Sequence, residues 1–235
     1  MKLLRATTLI IAAVVGCTRE NDTTINSIAE TTERGNIVTM DPNDILFTTP
    51  TLNDAIPAAL ARSTVSSNSV QLHEDDWRQF EFVAADLKQD INAELADISV
   101  IWDKHSVPLG ESGTAFRKVH VRKRIPNGLN ISMPLFEFEA LVGRKTSPMT
   151  FFGYDGVLRD VHAVKIDKLV VYALIQDGKL TTVGLDAVEQ FTLPRDFLDR
   201  LGEFVQEHKL VLVHWRSRTL FETQKDIMAY FGARG

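Results

Sequence analysis

Two segments of the 235-residue chain repeat one arrangement of chemistry-bearing side chains. His120-Val121-Arg122-Lys123-Arg124 and His214-Trp215-Arg216-Ser217-Arg218 both read His-x-Arg-x-Arg. Alternate residues of an extended strand share a face, so each copy presents its histidine and two arginines together. The opposite face carries Val119 and Val121 in one copy, and Val211, Val213 and Trp215 in the other. If the two strands are neighbours, His120, Arg122, Arg124, His214, Arg216 and Arg218 converge on one patch. Guanidinium forks match carboxylates and phosphates bidentately, and imidazole donates or titrates beside them. The ligand so implied is anionic: an acidic partner, a sugar phosphate or a lipid head group. The competing reading is the wet side of a half-buried antiparallel sheet, where alternation alone produces such patterns.

Other chemistries find weaker footing. His162 sits on a third expected strand, and three strand histidines are a conceivable zinc set, but the neighbouring arginines would repel a cation. His73, His105 and His208 fall at loop or helix ends. No metal site is assigned, and no cofactor motif is found. Gly110-Glu111-Ser112-Gly113 lacks the spacing of a nucleophile elbow and precedes a strand. Gly178-Lys179 lacks the upstream glycine of a phosphate loop. The carboxylate pairs Asp75-Asp76 and Glu137/Glu139 remain, the second expected to share a strand face. No catalytic residue is assigned.

The elements that would position these groups follow from periodicity. Phe80 and Phe82 share a face of a short strand within Trp77–Val83. A helix starting near Asp86 places Leu87, Ile91, Leu95, Ile98 and Trp102 on one stripe. A strand over Thr114–Ile125, a turn at Asn127-Gly128 and a returning strand over Leu129–Val142 are expected next, with Pro134 at an edge or bulge. Strands follow at Ser147–Phe152 and Val157–Ile166, then a hairpin of Leu169–Gln176 and Lys179–Leu185 around Asp177-Gly178. A helix from Pro194, a strand over Leu210–Arg216 and a closing helix over Phe221–Phe231 complete the chain. Hairpin-linked strands framed by separate helices predict an α+β fold: a largely antiparallel sheet of about six to eight strands with about three helices.

The leading segment supplies the setting. Lys2 and Arg5 precede the apolar run Leu9–Val15, which ends in Val14-Val15-Gly16-Cys17. This resembles a bacterial lipoprotein signal peptide with its lipobox, in which the cysteine takes the lipid. The run is shorter than the roughly 20 residues that span a bilayer. Cys17 is the only cysteine, and an odd cysteine in an exported protein calls for an explanation, which acylation provides. Thr18, where an inner-membrane retention signal has aspartate, implies by the same resemblance the outer membrane with the body facing the periplasm. Residues 1–16 are then a cleaved signal, 17–71 a lipidated polar tether and 72–235 one globular domain. Within the tether, Ile45-Leu46-Phe47, Leu52, Ile56 and Leu60 form an apolar island, either loose or docked onto the body.

Losing Lys2 and Arg5 takes the formal charge from −5 to −7. An acidic balance argues against nucleic acid as a partner. The sequence therefore points first to a membrane-anchored, non-enzymatic binding module, with an inhibitor or immunity-type role toward a periplasmic protein as its sharpest form. An envelope hydrolase or transferase acting on phosphate or glycan through a His/Arg site is the alternative, and a structural envelope component is a third.

Overall fold

The longest apolar run among the described residues, Leu169–Ile175, lies at the centre of a sheet covered on both faces. That explains why its residues do not alternate with polar ones. A computed structural model describes residues 45–60, 68–110, 113–187 and 193–232, all within one compact unit, Met40–Gly235. Its strands are β1 (Thr51–Asn53), β2 (Val70–Leu72), β3 (Phe80–Ala84), β4 (Ser106–Leu109), β5 (Gly113–Phe116), β6 (His120–Arg122), β7 (Ile131–Ser132), β8 (Ser147–Phe151), β9 (Val161–Ile166), β10 (Leu169–Gln176), β11 (Lys179–Ala187), β12 (Leu210–His214) and β13 (Thr219–Phe221). The helices are α1 (Lys88–His105), α2 (Leu135–Val142), α3 (Arg195–Glu207) and α4 (Gln224–Gly232).

The fold is α+β with a mostly antiparallel sheet. Nine strands form the main sheet, in the order β13-β12-β3-β11-β10-β9-β8-β2 with β7 beside β11; β1-β6 and β4-β5 are separate pairs. In the main sheet only β2 and β8 run parallel. Among the described residues, the main sheet thus has one strand and the fold one helix beyond the expected numbers. On one face Phe138 and Val142 of α2, Phe197, Leu201 and Phe204 of α3, and Ile227 and Phe231 of α4 pack on Phe82, Val171, Ala173 and Leu212. On the other, Ile91 and Ile98 of α1 cover Val83, Val211 and Val213 at one end, while Trp77 covers Ala163, Val170 and Tyr172 at the other.

The Asp177-Gly178 turn has φ of 52° and 73°, the paired left-handed geometry of a type I′ hairpin. The turn expected at Asn127-Gly128 is not of this kind, since neither residue has positive φ. Gly128 and Leu129 instead run between β3 and β11, accepting from Ala84 and donating to Thr181. The expected strand over Leu129–Val142 is two residues of β7 followed by α2, with Pro134 at the helix start. Phe138 and Val142 stand four apart, a separation that fits a strand face and a helix face alike; the buried pair is helical, and Phe136 is left exposed. Glu137 and Glu139 therefore do not share a strand face.

The Thr114–Ile125 strand is also split, into β5 and β6, and neither belongs to the main sheet. The closing helix begins three residues late, because Thr219–Phe221 pairs with β12.

The expected tether boundary at residue 71 moves. Phe47 and Phe116 exchange backbone hydrogen bonds, β1 pairs in parallel with β6, and Trp77 Nε1 donates to the Ala55 carbonyl at 3.0 Å. Leu60 and Ala58 exchange bonds with Val157 and Arg159. The apolar island is thus part of the folded body, which begins by Ile45 instead of Leu72. Cys17, the signal segment and the rest of the tether up to residue 44 lie outside the described residues. Among the described residues no helix is long and apolar enough to cross a membrane.

Candidate functional site

The two His-x-Arg-x-Arg copies do not meet on one face. β6 pairs with β1, whereas β12 pairs with β3 and β13, and the second copy leaves its strand at His214 to enter a turn. Four of the six groups are held by acidic side chains. His120 Nε2 meets Glu94 Oε2 at 2.5 Å, and Arg124 Nη1 bridges Glu94 at 3.1 Å and Asp97 at 2.8 Å. Arg216 Nη2 donates to Asp76 Oδ1 at 2.7 Å. Arg122, fully buried, gives hydrogen bonds to Glu81 Oε1 at 3.4 Å and to the Arg78 carbonyl at 2.7 Å. Its guanidinium also lies 4.5 Å from the Trp215 ring centre, as that of Arg218 lies 5.0 Å from Trp102.

Glu94, buried on α1 beside the apolar stripe, was not singled out by the sequence. Its Oε1 accepts the backbone amides of Lys123 and Arg124, so it pins the loop after β6. Burial alone would raise this carboxyl; the bonds from His120 and the two amides bring it below its ordinary value. Glu94, Asp97 and His120 have the spacing of a metal trio, with ligand atoms within 4.8 Å of one another. Arg124 already bridges both carboxylates there, so the cationic position is occupied by the protein itself. His162 lies apart on β9, half-buried, its pKa lowered by burial. Glu139 binds Lys145 and the Thr146 amide.

A second buried network organises the other sheet face. Glu81 is fully buried on β3, opposite Gly184 of β11 and Val213 of β12. Its carboxylate accepts from Arg78 Nε at 2.6 Å and from Trp215 Nε1 at 2.8 Å. Gly184 faces Tyr172 in the next register, and the Tyr172 ring lies across it. Tyr172 stacks on Trp77, and its hydroxyl accepts from the Arg78 amide at 2.7 Å. That bond and the guanidinium contacts to Glu81, Ile125 and Pro126 hold Arg78 at φ 53°, a conformation costly for a residue that carries a Cβ. Burial lowers Arg122 to about 10, Glu81 opposing the effect and Arg78 adding to it.

The turn made by Arg78 aims the next residue, Gln79, at the edge of a small cavity of about 120 Å³ between β3, β11, β12 and α4. Its walls carry Asp76, Gln79 and Phe80 from the approach to and start of β3, Asp186 from β11, His214 from the end of β12, Arg216 from the turn after it, and Tyr230 from α4. Gln79 is 4% exposed and gives its Nε2 to the Thr51 carbonyl at 2.6 Å. That bond fixes the amide orientation, since a flipped amide would set oxygen against oxygen. Gln79 Oε1 and Arg216 Nε, both buried, have no partner among the described residues. The Asp186 carboxyl is pushed up by burial and by Asp76, with Arg216 opposing.

The sequence pattern singled out His214 and Arg216, though as part of an anion-binding patch shared with His120, Arg122, Arg124 and Arg218, and Asp76 was visible as half of a carboxylate pair. Gln79, Asp186 and Tyr230 were missed. The one local signal was Asp186 itself, a charge closing the otherwise uncharged stretch Leu180–Leu185. A larger, open cavity of about 350 Å³ lies between α2 and α3, lined by Met133, Glu137, Arg200, Phe204 and His208 among others.

Comparison of the chain with protein-family models, with curated proteins and with solved structures gave no match.

Proposed function

We propose that this chain is a lipid-anchored envelope protein that works as a binding module, with the Gln79–Asp186–Arg216 cavity as its ligand contact. The observation that carries the binding half is the pairing of a concave polar site with buried hydrogen-bonding atoms that have no partner inside it. Buried polar atoms are nearly always satisfied, and exceptions mark places where something else completes the set. The anchoring half rests on the lipobox resemblance at Val14-Val15-Gly16-Cys17. A body held on a polar tether searches the space near its membrane, which suits a receptor for envelope ligands or a neutraliser of an envelope protein.

Two measurements test this. Mass analysis of the N-terminal peptide should find acyl chains on Cys17, and Cys17→Ser should release the protein from the membrane fraction. An unmodified thiol on an unprocessed chain refutes the anchor. For the cavity, a ligand screen monitored by NMR should shift the Gln79 side-chain amide; a screen that moves only distant signals refutes it.

A second reading has its own support. A carboxyl raised by burial beside another carboxylate is the arrangement of a general acid, and Asp186 next to Asp76 has that form. This is the hydrolase alternative, with Asp186 donating the proton to a leaving group. Turnover of envelope glycans or phosphate esters that disappears in Asp186→Asn would establish it; an equal rate in that variant would end it.

A further inference from the structure

We infer that the cavity is a receptor for an organic cation, an ammonium or guanidinium head seated between Asp76 and Asp186. The inference rests on the reading of this cavity as the ligand contact and names what the contact takes. Acceptors dominate its walls. One Asp76 oxygen holds Arg216, leaving the other; Asp186 offers a carboxylate; and Gln79, whose buried carbonyl oxygen has no partner and whose amide is fixed by Thr51, lines the same wall. Against these stands one donor without a partner, Arg216 Nε, on a guanidinium whose charge Asp76 already balances. With His214 neutral, the charged side chains of the site sum to one negative charge. An anion would meet two carboxylates; a donor-rich cation meets their oxygens.

The rings agree with this. Phe80 and Tyr230, edge to face with centres 5.3 Å apart, both line the cavity, and aromatic faces attract cations. Acidic oxygens with ring walls are the recurring surroundings of bound ammonium and guanidinium groups. The volume of about 120 Å³ takes such a head and its first carbons, not a whole sugar, for which sites of about 300 Å³ or more are usual. The head could belong to a free amine or to a lysine or arginine side chain of a protein. The chemistry recognised is the same.

The test uses the full mature chain in detergent and four probes: methylammonium, methylguanidinium, inorganic phosphate and glucose. Binding is read by calorimetry and by the Gln79 side-chain amide signal. The expected result is that at least one cation binds and shifts that signal, and that Asp186→Asn weakens it about tenfold or more. Phosphate and glucose leave the signal unmoved. A capped arginine or lysine tripeptide separates the sources: a gain of tenfold or more over the bare head identifies a protein side chain, and equal affinity identifies a free small molecule.

A pH series on the wild type keeps the test decisive if the variant is unstable. The groups facing Asp186 are Asp76, Arg216, His214 and Tyr230. On acidification the Asp186 carboxyl, raised by burial and by Asp76, loses its charge, so cation affinity must fall. Affinity that is unchanged or rises in acid overturns the inference. Phosphate or glucose shifting the Gln79 signal while neither cation does overturns it too, yet leaves the binding cavity standing. Silence from all four probes at that signal sinks both.

Discussion

Replacing Glu81 by glutamine removes one charge from the centre of the protein and changes almost no volume. In the native site one carboxylate oxygen accepts from Arg78 and the other from Trp215 and Arg122, and no part of the residue reaches solvent. A glutamine keeps one oxygen and turns an NH2 group toward a donor. It also leaves two buried guanidinium groups with no buried carboxylate between them. Removing one partner from a buried ionic set costs about 3–5 kcal/mol. That is a large share of the roughly 5–15 kcal/mol that holds a domain together. For a body of this size each kcal/mol moves Tm by about 2–4 °C, so Glu81→Gln should lower Tm by about 6–20 °C.

Urea unfolding followed by tryptophan fluorescence is the natural assay, because Trp215 contacts Glu81 directly. Lys88→Met serves as the reference, breaking the half-exposed Lys88–Glu222 pair at a cost of about 1 kcal/mol or less. Glu81→Leu combined with Arg122→Met should be less destabilised than the sum of the single changes, since the second removes a charge the first has stranded. A loss from Glu81→Gln no larger than that of Lys88→Met would refute the reasoning, and with it the idea that this network fixes the Arg78 turn.

Three further outcomes follow from the same geometry. Gly184→Ala should destabilise by about 1–3 kcal/mol or more, because the new methyl would sit 2.1 Å from the Tyr172 ring, which Trp77 and the Arg78 amide hold in place; calorimetry measures it. Glu94→Gln should cost stability at neutral pH and progressively less in acid. The folded Glu94 pKa lies below the unfolded one, so its contribution is complete above the unfolded value and is lost as pH falls through the folded value. Asp186→Asn should do the reverse. Its carboxyl is raised, so its charge opposes folding at neutral pH, and the variant should be the more stable protein there, the gap closing as acid protonates the wild type. Denaturant midpoints of the two variants across pH check both signs. A stabilising change that abolishes binding would also fit a cavity kept for function.

Local patterns settled much of the architecture. Asp177-Gly178 sets the hairpin of β10 and β11 because its two residues accept left-handed φ, and the α3 stripe of Phe197, Leu201, Phe204 and Val205 packs as its spacing demands. Where two periods coincide, as at Phe138 and Val142, the pattern reads as a strand, and the segment packed against α3 and β10 is a helix. The pairing of elements lay beyond local reading altogether. β3 inserts between β11 and β12, strands from the far end of the chain, and only that insertion brings Gln79 beside Asp186, His214 and Arg216. The fate of each charge was decided in the same way. His-x-Arg-x-Arg tells which side of a strand a cation leaves from, but Glu81, Glu94 and Asp76 come from separate elements and meet it only after the sheet has formed. Alternation is a property of neighbours in the chain, whereas neutralisation is a property of neighbours in space.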